Sequence, residues 1–423
     1  MTSPAELYSV LQFFLNWGWI ITPIVLFFVW RDLWLKWVQK EHSATLNWVT
    51  LELKIPNVVE RTPKVMEQVF GGLHGMKSKV NLIEKWWQGK FQYHISLEIV
   101  GLEGSAHFFI HTPEKYKKVI HSQIYAQYKD AELSEVKDYT IRLPADIPNE
   151  EYDIWGTELM FTKDDAYPIR TYRFFEEPST EKKYIDPLAS LVELLGELGH
   201  GEYIFTQCLI RPVGTEWQKE GQYLIDKLIG KKEAKRQSSG IFEEVFQFFY
   251  DLAMAIFAPP KTPQEEKAQE KSTPETLMQH LPPGMKDVVA ALEESISKHG
   301  FESVIRIMYV ARRDVFSSGN IAALMGAFKQ FSTYNLNGFK PNDNVTTSID
   351  YFFKKTRELL RGKRLYQWMR ERSFKDIWSR KRMILNTEEL ATVYHVPSVV
   401  LEVPTLEKIM AKKSEPPAGL LTI

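Results

Sequence analysis

The chain has 423 residues, of which 44% are hydrophobic and 25% charged, and its formal net charge is −1. That length suits two or three domains with enough apolar material for real cores, and the near-neutral balance argues against a surface that coats nucleic acid uniformly. The single cysteine, Cys208, excludes a disulfide framework or a cysteine metal cluster and fits a reducing compartment.

Leu7 to Trp30 is free of charge over 24 positions, with Trp17 and Pro23 inside it. As a helix it would reach roughly 36 Å, enough to cross a hydrocarbon core of about 30 Å. Gln12, Asn16 and Pro23 are tolerable interruptions in a spanning helix. No basic region precedes the run and no small-residue cleavage site follows it, so it reads as an uncleaved anchor rather than a signal peptide. Glu6 precedes the span, and Arg31, Lys36 and Lys40 follow it. This imbalance places the N-terminus outside and the body in the cytoplasm. Trp30, Trp34 and Trp37 recur at helical spacing, where indoles sit at headgroup level. Residues 1–40 are thus expected to be an anchor and a juxtamembrane helix in the cytoplasmic membrane.

Residues 41–145 read as an α+β domain. Trp48 to Ile55 alternates like a strand. Thr62-Pro63 opens a helix with Val65, Val69 and Leu73 on one face. Tyr93 to Val100 and Ala106 to His111 form a hairpin through Gly101 to Gly104. Thr112-Pro113 caps a second helix striped by Tyr116, Val119, Ile120 and Ile124, and Ala131 to Val136 closes the unit. The order βαββαβ is that of a ferredoxin-like split βαβ unit.

Two α/β halves follow. In residues 146–230, strands at Ile154 to Phe161 and Arg170 to Phe175 precede a helix from Pro187 to Leu198. Then come His200-Gly201, a strand from Tyr203 to Ile210, Arg211, and a helix from Glu216 to Leu228. The order helix, His-Gly, strand, Arg, helix returns about 99 residues later in residues 286–423. There the helix is Asp287 to Lys298, the strand Val304 to Val310, and the final helix Asn320 to Phe331. Such a repeat suggests two related halves in one sheet. Between them, residues 231–285 are an insert holding the apolar segment Ile241 to Ala258 and a flexible linker from Pro259 to Pro274.

No Walker A, H-E-x-x-H, G-x-S-x-G or C-x-x-C pattern occurs, so no catalytic, cofactor-binding or metal-ligating residue is assigned. His107 and His111 on one strand would lie about 13 Å apart, too far to share a metal. His200 and His299 suit helix-end capping. Asn344-Val-Thr346 matches a glycosylation pattern by chance in a cytosolic segment.

The strongest surface feature is Lys354 to Arg382. It carries twelve Lys/Arg against three Asp/Glu, a local charge of +9 that leaves −10 for the rest. Arg357, Arg361, Lys363, Arg364, Arg370, Arg372, Arg380, Lys381 and Arg382 are interleaved with Tyr366, Trp368 and Trp378. Cations beside aromatics suit a nucleic-acid backbone with base stacking, anionic lipid, or an acidic partner.

Asn386 to Pro397, NTEELATVYHVP, with Leu401 to Pro404 and Lys412 to Pro417, resembles the segment before the nucleotide-binding core of conjugation-type and HerA-type DNA-pumping ATPases. Ile185-Asp-Pro-Leu188 and Arg306 to Phe316 resemble the membrane-anchored region fused to such ATPases. The sequence stops at Ile423, about where the phosphate-binding loop would follow, so no ATPase residue is carried over. The resemblance implies an accessory scaffold of a type IV secretion or conjugative DNA-transfer system. Its partners would be the lipid bilayer, a motor ATPase in trans or in a fused chain, further copies of itself, and DNA. A membrane-bound enzyme with an unrecognised α/β site is the alternative, and a pocket of titratable groups near Arg211 or Arg312 would favour it.

Overall fold

The computed structural model describes residues 4–54, 62–175, 185–230, 281–350, 352–374 and 382–397; side chains of residues 4–21 and 24 lie outside the description. The apolar segment Ile241 to Ala258 and the linker of the expected insert, the segments after Pro397, and Trp378, Arg380 and Lys381 also fall outside it.

The fold is α+β. Among the described residues, nine antiparallel strands form one sheet, running in space from Glu132–Val136 through Trp48–Lys54, Ser105–Pro113, Ile95–Leu102, Glu202–Pro212, Gly300–Arg312 and Tyr152–Phe161 to Phe339–Pro341, with Met383–Asn386 also paired to Gly300–Arg312. Helix α1, Pro4–Ala44, leads into β1, Trp48–Lys54. Helix α2, Lys64–Leu73, buries Met66, Val69, Phe70 and Leu73, so its inner face is centred about one residue beyond the expected stripe. A short helix α3, Leu82–Trp86, precedes β2, Ile95–Leu102, and β3, Ser105–Pro113. The hairpin turns on Glu103 and Gly104, both at positive φ (49° and 89°), which matches the twist of the flanking strands. Thr112 and Pro113 belong to β3 and do not cap the next helix. A 3-10 turn at Glu114–Tyr116 intervenes before α4, Lys117–Gln127, whose buried residues are Ile120 and Ile124. Strand β4, Glu132–Val136, pairs with β1 at the sheet edge.

The sheet then continues without a break, because β2 pairs with β6, Glu202–Pro212. Around it lie β5, Tyr152–Phe161, and helices α5, Ala189–Gly196, and α6, Glu216–Leu228. Helix α7, Pro283–Ile296, strand β7, Gly300–Arg312, and helix α8, Ser318–Lys329, follow. Strand β8 is Phe339–Pro341, helix α9 is Lys354–Arg370, strand β9 is Met383–Asn386 and helix α10 is Thr387–Val393. The expected strand at Arg170 to Phe175 is instead a 3-10 turn at Tyr172–Phe175. Its backbone is taken up elsewhere: Ile169 N–H donates to Glu389, Arg170 N–H to Phe331 O and Tyr172 N–H to Thr392.

Both sheet faces are covered. Leu97, Ile99, Phe108, Ile110, Ile204, Cys208, Ile305 and Ile307 face α2, α4, α5, α8 and α10. Val100, Phe109, Phe205, Met308 and Val310 face Tyr139, Leu143, Ile147 and three residues of α9, Leu365, Tyr366 and Met369. Period-two alternation on buried strands produces this division. A third cluster joins α6 to α7 through Ile225, Val289 and Leu292.

Among the described residues, no helix is long and apolar enough to cross a membrane. Of the expected anchor, the backbone belongs to α1, and the side chains of Leu7 and Trp17 are not described. Pro23 lies exposed within the helix.

Candidate docking site

Helix α9 carries the first half of the basic stretch. Lys354, Lys355, Arg357, Lys363 and Arg364 are exposed, together with Phe352, Phe353, Leu359 and Leu360. Lys354 reaches Glu358 at 4.0 Å. Among the described residues no carboxylate pairs with Lys355, Arg357, Lys363 or Arg364. Arg361 is half-buried and donates to Asp343 O and Thr346 O at 2.9 and 2.7 Å. Its pKa is lowered by burial and by the charges of Arg357 and Arg364, a local sign of the positive field gathered here.

The opposite side of α9 is fixed to the sheet by an uncommon device. Glu98, Gln207, Arg306 and Glu158 stand in register across β2, β6, β7 and β5, a polar row on an otherwise apolar face. Gln207 Nε2 donates to Glu98 Oε1 (3.1 Å), and Arg306 donates to Gln207 (3.2 Å) and Glu158 (2.6 Å). The row also serves the end of α9: Gln207 donates to Met369 O (3.0 Å), and Arg306 to Trp368 O (3.0 Å) and Ser373 O (3.2 Å). Helix ends leave carbonyls unpaired, and cations near them are favourable, so both terminal nitrogens of the buried Arg306 guanidinium find partners here, while its Nε has none among the described residues.

Beyond the helix, Arg372 N–H donates to Met369 O and Ser373 N–H to Trp368 O, the bonding of a Schellman stop. That motif puts a left-handed residue at the position Arg372 holds, with φ 44° where glycine is usual. The Arg372 side chain, 2% exposed, pairs with Glu98 (3.0 Å) and with Asp138. Burial pushes Asp138 up, but its bond to Arg372 and the guanidinium charge outweigh this and hold its carboxyl below its usual value.

The expected basic residues therefore divide. Arg357 and Arg364 lie about two turns apart on one side of α9 beside Arg361, Lys363 is exposed at the cleft that Gln367 and Arg370 line, and Arg372 belongs to the interior and offers nothing to a ligand. Arg370 is half-buried over the Tyr366 ring. Arg382 is half-buried, paired with Glu302 at 2.9 Å. Of the expected aromatics that are described, Tyr366 and Trp368 form no platform beside the cations: Tyr366 is 1% exposed, its hydroxyl on Pro144 O at 2.8 Å, and Trp368 packs half-buried against the α9 cluster. Alternate turns of a helix bound to a core must face inward, which the interleaved sequence does not reveal. Beside the exposed lysine, Lys363, Gln367 and Arg370 line an open cleft of about 600 Å³ whose far wall holds Asp138, Thr140 and Asp146.

Asn386 to Val396 is buried throughout. Asn386 accepts from the N–H groups of Glu388 and Glu389, and Glu389 accepts from Asn386 N–H in return, a capping box. Thr392 and Glu389 hold the backbone of Tyr172 and Ile169, Asn386 reaches Ser295 at 3.1 Å, and Glu388 pairs with Lys298 and Arg173. His395 Nε2 lies 3.0 Å from Asp186. The motif that ends in His-Val-Pro397 thus meets the Ile185-Asp-Pro-Leu188 motif directly.

The groups weighed for chemistry are engaged in structure. His107 contacts Glu52 at 2.9 Å. His200 contacts Glu103 at 3.0 Å, and His299 stacks on His74 at 4.3 Å, beyond the helix caps Glu197 and Ser297. Arg211 pairs with Glu302 at 2.5 Å and Arg312 with Asp314 at 2.8 Å. A cleft of about 180 Å³ at α10 is lined by Arg173, Glu294, Lys298 and Glu388, whose charges pair with one another.

At the other end of the molecule, Trp30 and Trp37 are exposed on α1, while half-buried Trp34 lies 6.0 Å from Trp30 and 5.4 Å from Trp37. Arg31 pairs with Asp32 and covers the Phe28 ring at 4.9 Å.

The family described as a domain of unknown function, DUF8128, matches residues 38–408. The chain belongs to it. The DUF8128 match takes in the whole sheet, α9 and the buried motif on α10, and begins within α1. No curated protein matches the chain.

Proposed function

We propose that this DUF8128 chain is a membrane-anchored scaffold that docks a motor ATPase of the HerA or conjugation type at the cytoplasmic membrane face, in a type IV secretion or DNA-transfer system. The N-terminus lies outside, α1 crosses or enters the bilayer, and the body is cytoplasmic. Within that body, the first unit is read as ferredoxin-like, in keeping with the strand order β4-β1-β3-β2, and β6 and β7 as the centres of two related halves.

The observation that carries this reading is the set of exposed cations on α9, a helix seated on the sheet by buried bonds. Lys355, Arg357, Lys363 and Arg364 lack carboxylate partners among the described residues, while the same helix is fixed by buried bonds at its far end. Unpaired arginines suit the bidentate recognition of carboxylates on a partner. Since Tyr366 is buried, stacking of bases contributes less, and an acidic protein surface is favoured over a single nucleic-acid strand.

The test is co-purification of the full-length chain with such an ATPase from co-expressing membranes. Replacing Arg357, Lys363 and Arg364 by Glu should abolish the complex at low salt while the chain remains folded. Retention would overturn docking through this face. Oligonucleotide binding whose log K falls by about 0.7 per contacted phosphate per decade of salt would point to a nucleic-acid ligand instead.

A further inference from the structure

Helix α3 and its flanking loop are built against the exit of α1. Trp34 Nε1 donates to Trp86 O at 2.9 Å, and the Trp34 and Trp87 rings meet edge to face at 6.0 Å. Gly89, at φ +65°, brings the returning loop so close to α1 that a Cβ would stand 2.2 Å from Val38 O. An Asn81–Glu84 capping box and a Lys90–Glu84 pair at 2.9 Å close the loop on itself. Yet this well-fastened segment turns large apolar side chains outward: Leu82 is 76%, Ile83 66% and Trp87 72% exposed.

Lys77, Lys79 and Lys85 flank them and are exposed. On α1, Phe27, Trp30, Leu33 and Trp37 are exposed as well, so the apolar surface of α3 lies beside that of the helix it grips. Trp30 to Trp37 spans about 10 Å of helix axis, on the order of the depth of one interfacial layer. Indoles with a polar edge, aliphatic side chains and flanking lysines are the composition that settles at an anionic headgroup layer.

We infer that α3 and its loop are a second membrane contact, a ledge lying in the headgroup region of an anionic bilayer beside the exit of α1. This rests on the reading of α1 as an anchor. The loop is held by α1, so the ledge fixes how deep the body sits and which side of it faces the lipid.

The experiment uses the full-length chain in vesicles of phosphatidylcholine and phosphatidylglycerol. Native Cys208 is buried and burial pushes its thiol up to about 12, so a nitroxide reagent at neutral pH leaves it unlabelled. Single labels are placed through Ile83→Cys, Leu26→Cys on α1, and Lys219→Cys on α6. The Ile83 label should collide with oxygen and lose collisions with a water-soluble nickel complex, as the Leu26 label does and the Lys219 label does not. Nickel access at Ile83 equal to that at Lys219, with Leu26 still in lipid, would overturn the ledge and leave the anchor standing. Nickel access at both Ile83 and Leu26 would overturn the anchor and the ledge together. Shielding at Ile83 accompanied by spin–spin broadening, relieved by dilution with unlabelled chain, would assign the surface to a second copy and overturn the inference.

Discussion

Arg372 sets two opposing effects against each other, and their sizes decide the outcome of replacing it. In favour of the wild type, its guanidinium pairs with Glu98, which is 0% exposed, and with Asp138. Removing one partner of a buried pair costs about 3–5 kcal/mol, because the other charge is left uncompensated. Against the wild type, a non-glycine residue at left-handed φ costs roughly 1–2 kcal/mol. Arg372→Gly loses the pair but relieves the backbone, so its net loss should be about 1–4 kcal/mol. Arg372→Met keeps the strain and should lose the full 3–5 kcal/mol. Pairing Arg372→Met with Glu98→Met removes both charges and should recover a good part of that loss. Guanidinium unfolding of the full-length chain in detergent, followed by circular dichroism, measures all three. Amide exchange along α9 should accelerate by roughly two powers of ten or more in Arg372→Met. An Arg372→Gly chain as stable as wild type would show that the ion pair contributes no more than the roughly 1–2 kcal/mol of backbone relief, well short of about 3–5 kcal/mol. Equal losses for Gly and Met would refute the strain.

Burial pushes the Glu389 carboxyl up to about 8, from an ordinary 4.5. The folded chain then holds a proton that the unfolded chain releases, so stability should fall from about pH 5 to pH 8, by up to about 1.4 kcal/mol per unit; Glu389→Gln should remove that slope in a pH series of denaturation midpoints. Gly362 lets α9 lie against β5, since a Cβ there would stand 2.8 Å from Ile154 Cγ2 and 3.1 Å from Pro148 Cδ. Gly362→Val should therefore destabilise by about 1–3 kcal/mol and speed amide exchange in α9, and an unchanged exchange rate would refute the close packing. Asn386→Ala should cost about 1–2 kcal/mol through loss of the α10 cap, read as a lower denaturation midpoint with an unchanged slope.

Elements with sustained period were legible. Trp48 to Lys54, helices α2 and α4 and the β2–β3 hairpin are set by alternation or helical spacing and by turn residues, though the buried face of α2 is displaced from the expected stripe. Helix α3 spans Leu82–Trp86, too short for a 3.6-residue pattern to register. Arg170 to Phe175 has strand-like composition, but tertiary bonds to α10 claim its backbone. Polar residues in the middle of apolar strands, as in ISLEIV, FTQCLI and VIRIMYV, do mark Glu98, Gln207 and Arg306 as buried. Their joint role does not show, because it depends on register between strands distant in the sequence. The basic stretch misled for a related reason: charge counts do not say which side chains face the core, and both Tyr366 on α9 and Arg372 in the turn after it point inward.

Between the end of α1 and the start of β1 lie only Thr45, Leu46 and Asn47. Thr45 and Leu46 N–H groups bond back to His42 O and Ser43 O, Asn47 O accepts from Glu114 N–H, and His42 Nε2 meets the Tyr93 hydroxyl at 2.6 Å. A joint so tied has no swivel. The long helix and the sheet then act as a lever and its load: a tilt of α1 appears as a rotation of the sheet, and a pull on α9 returns to α1 as torque. In an assembly of several copies, the fixed angle at this joint would set the direction in which neighbouring bodies can approach, and with it the closure of any ring they form.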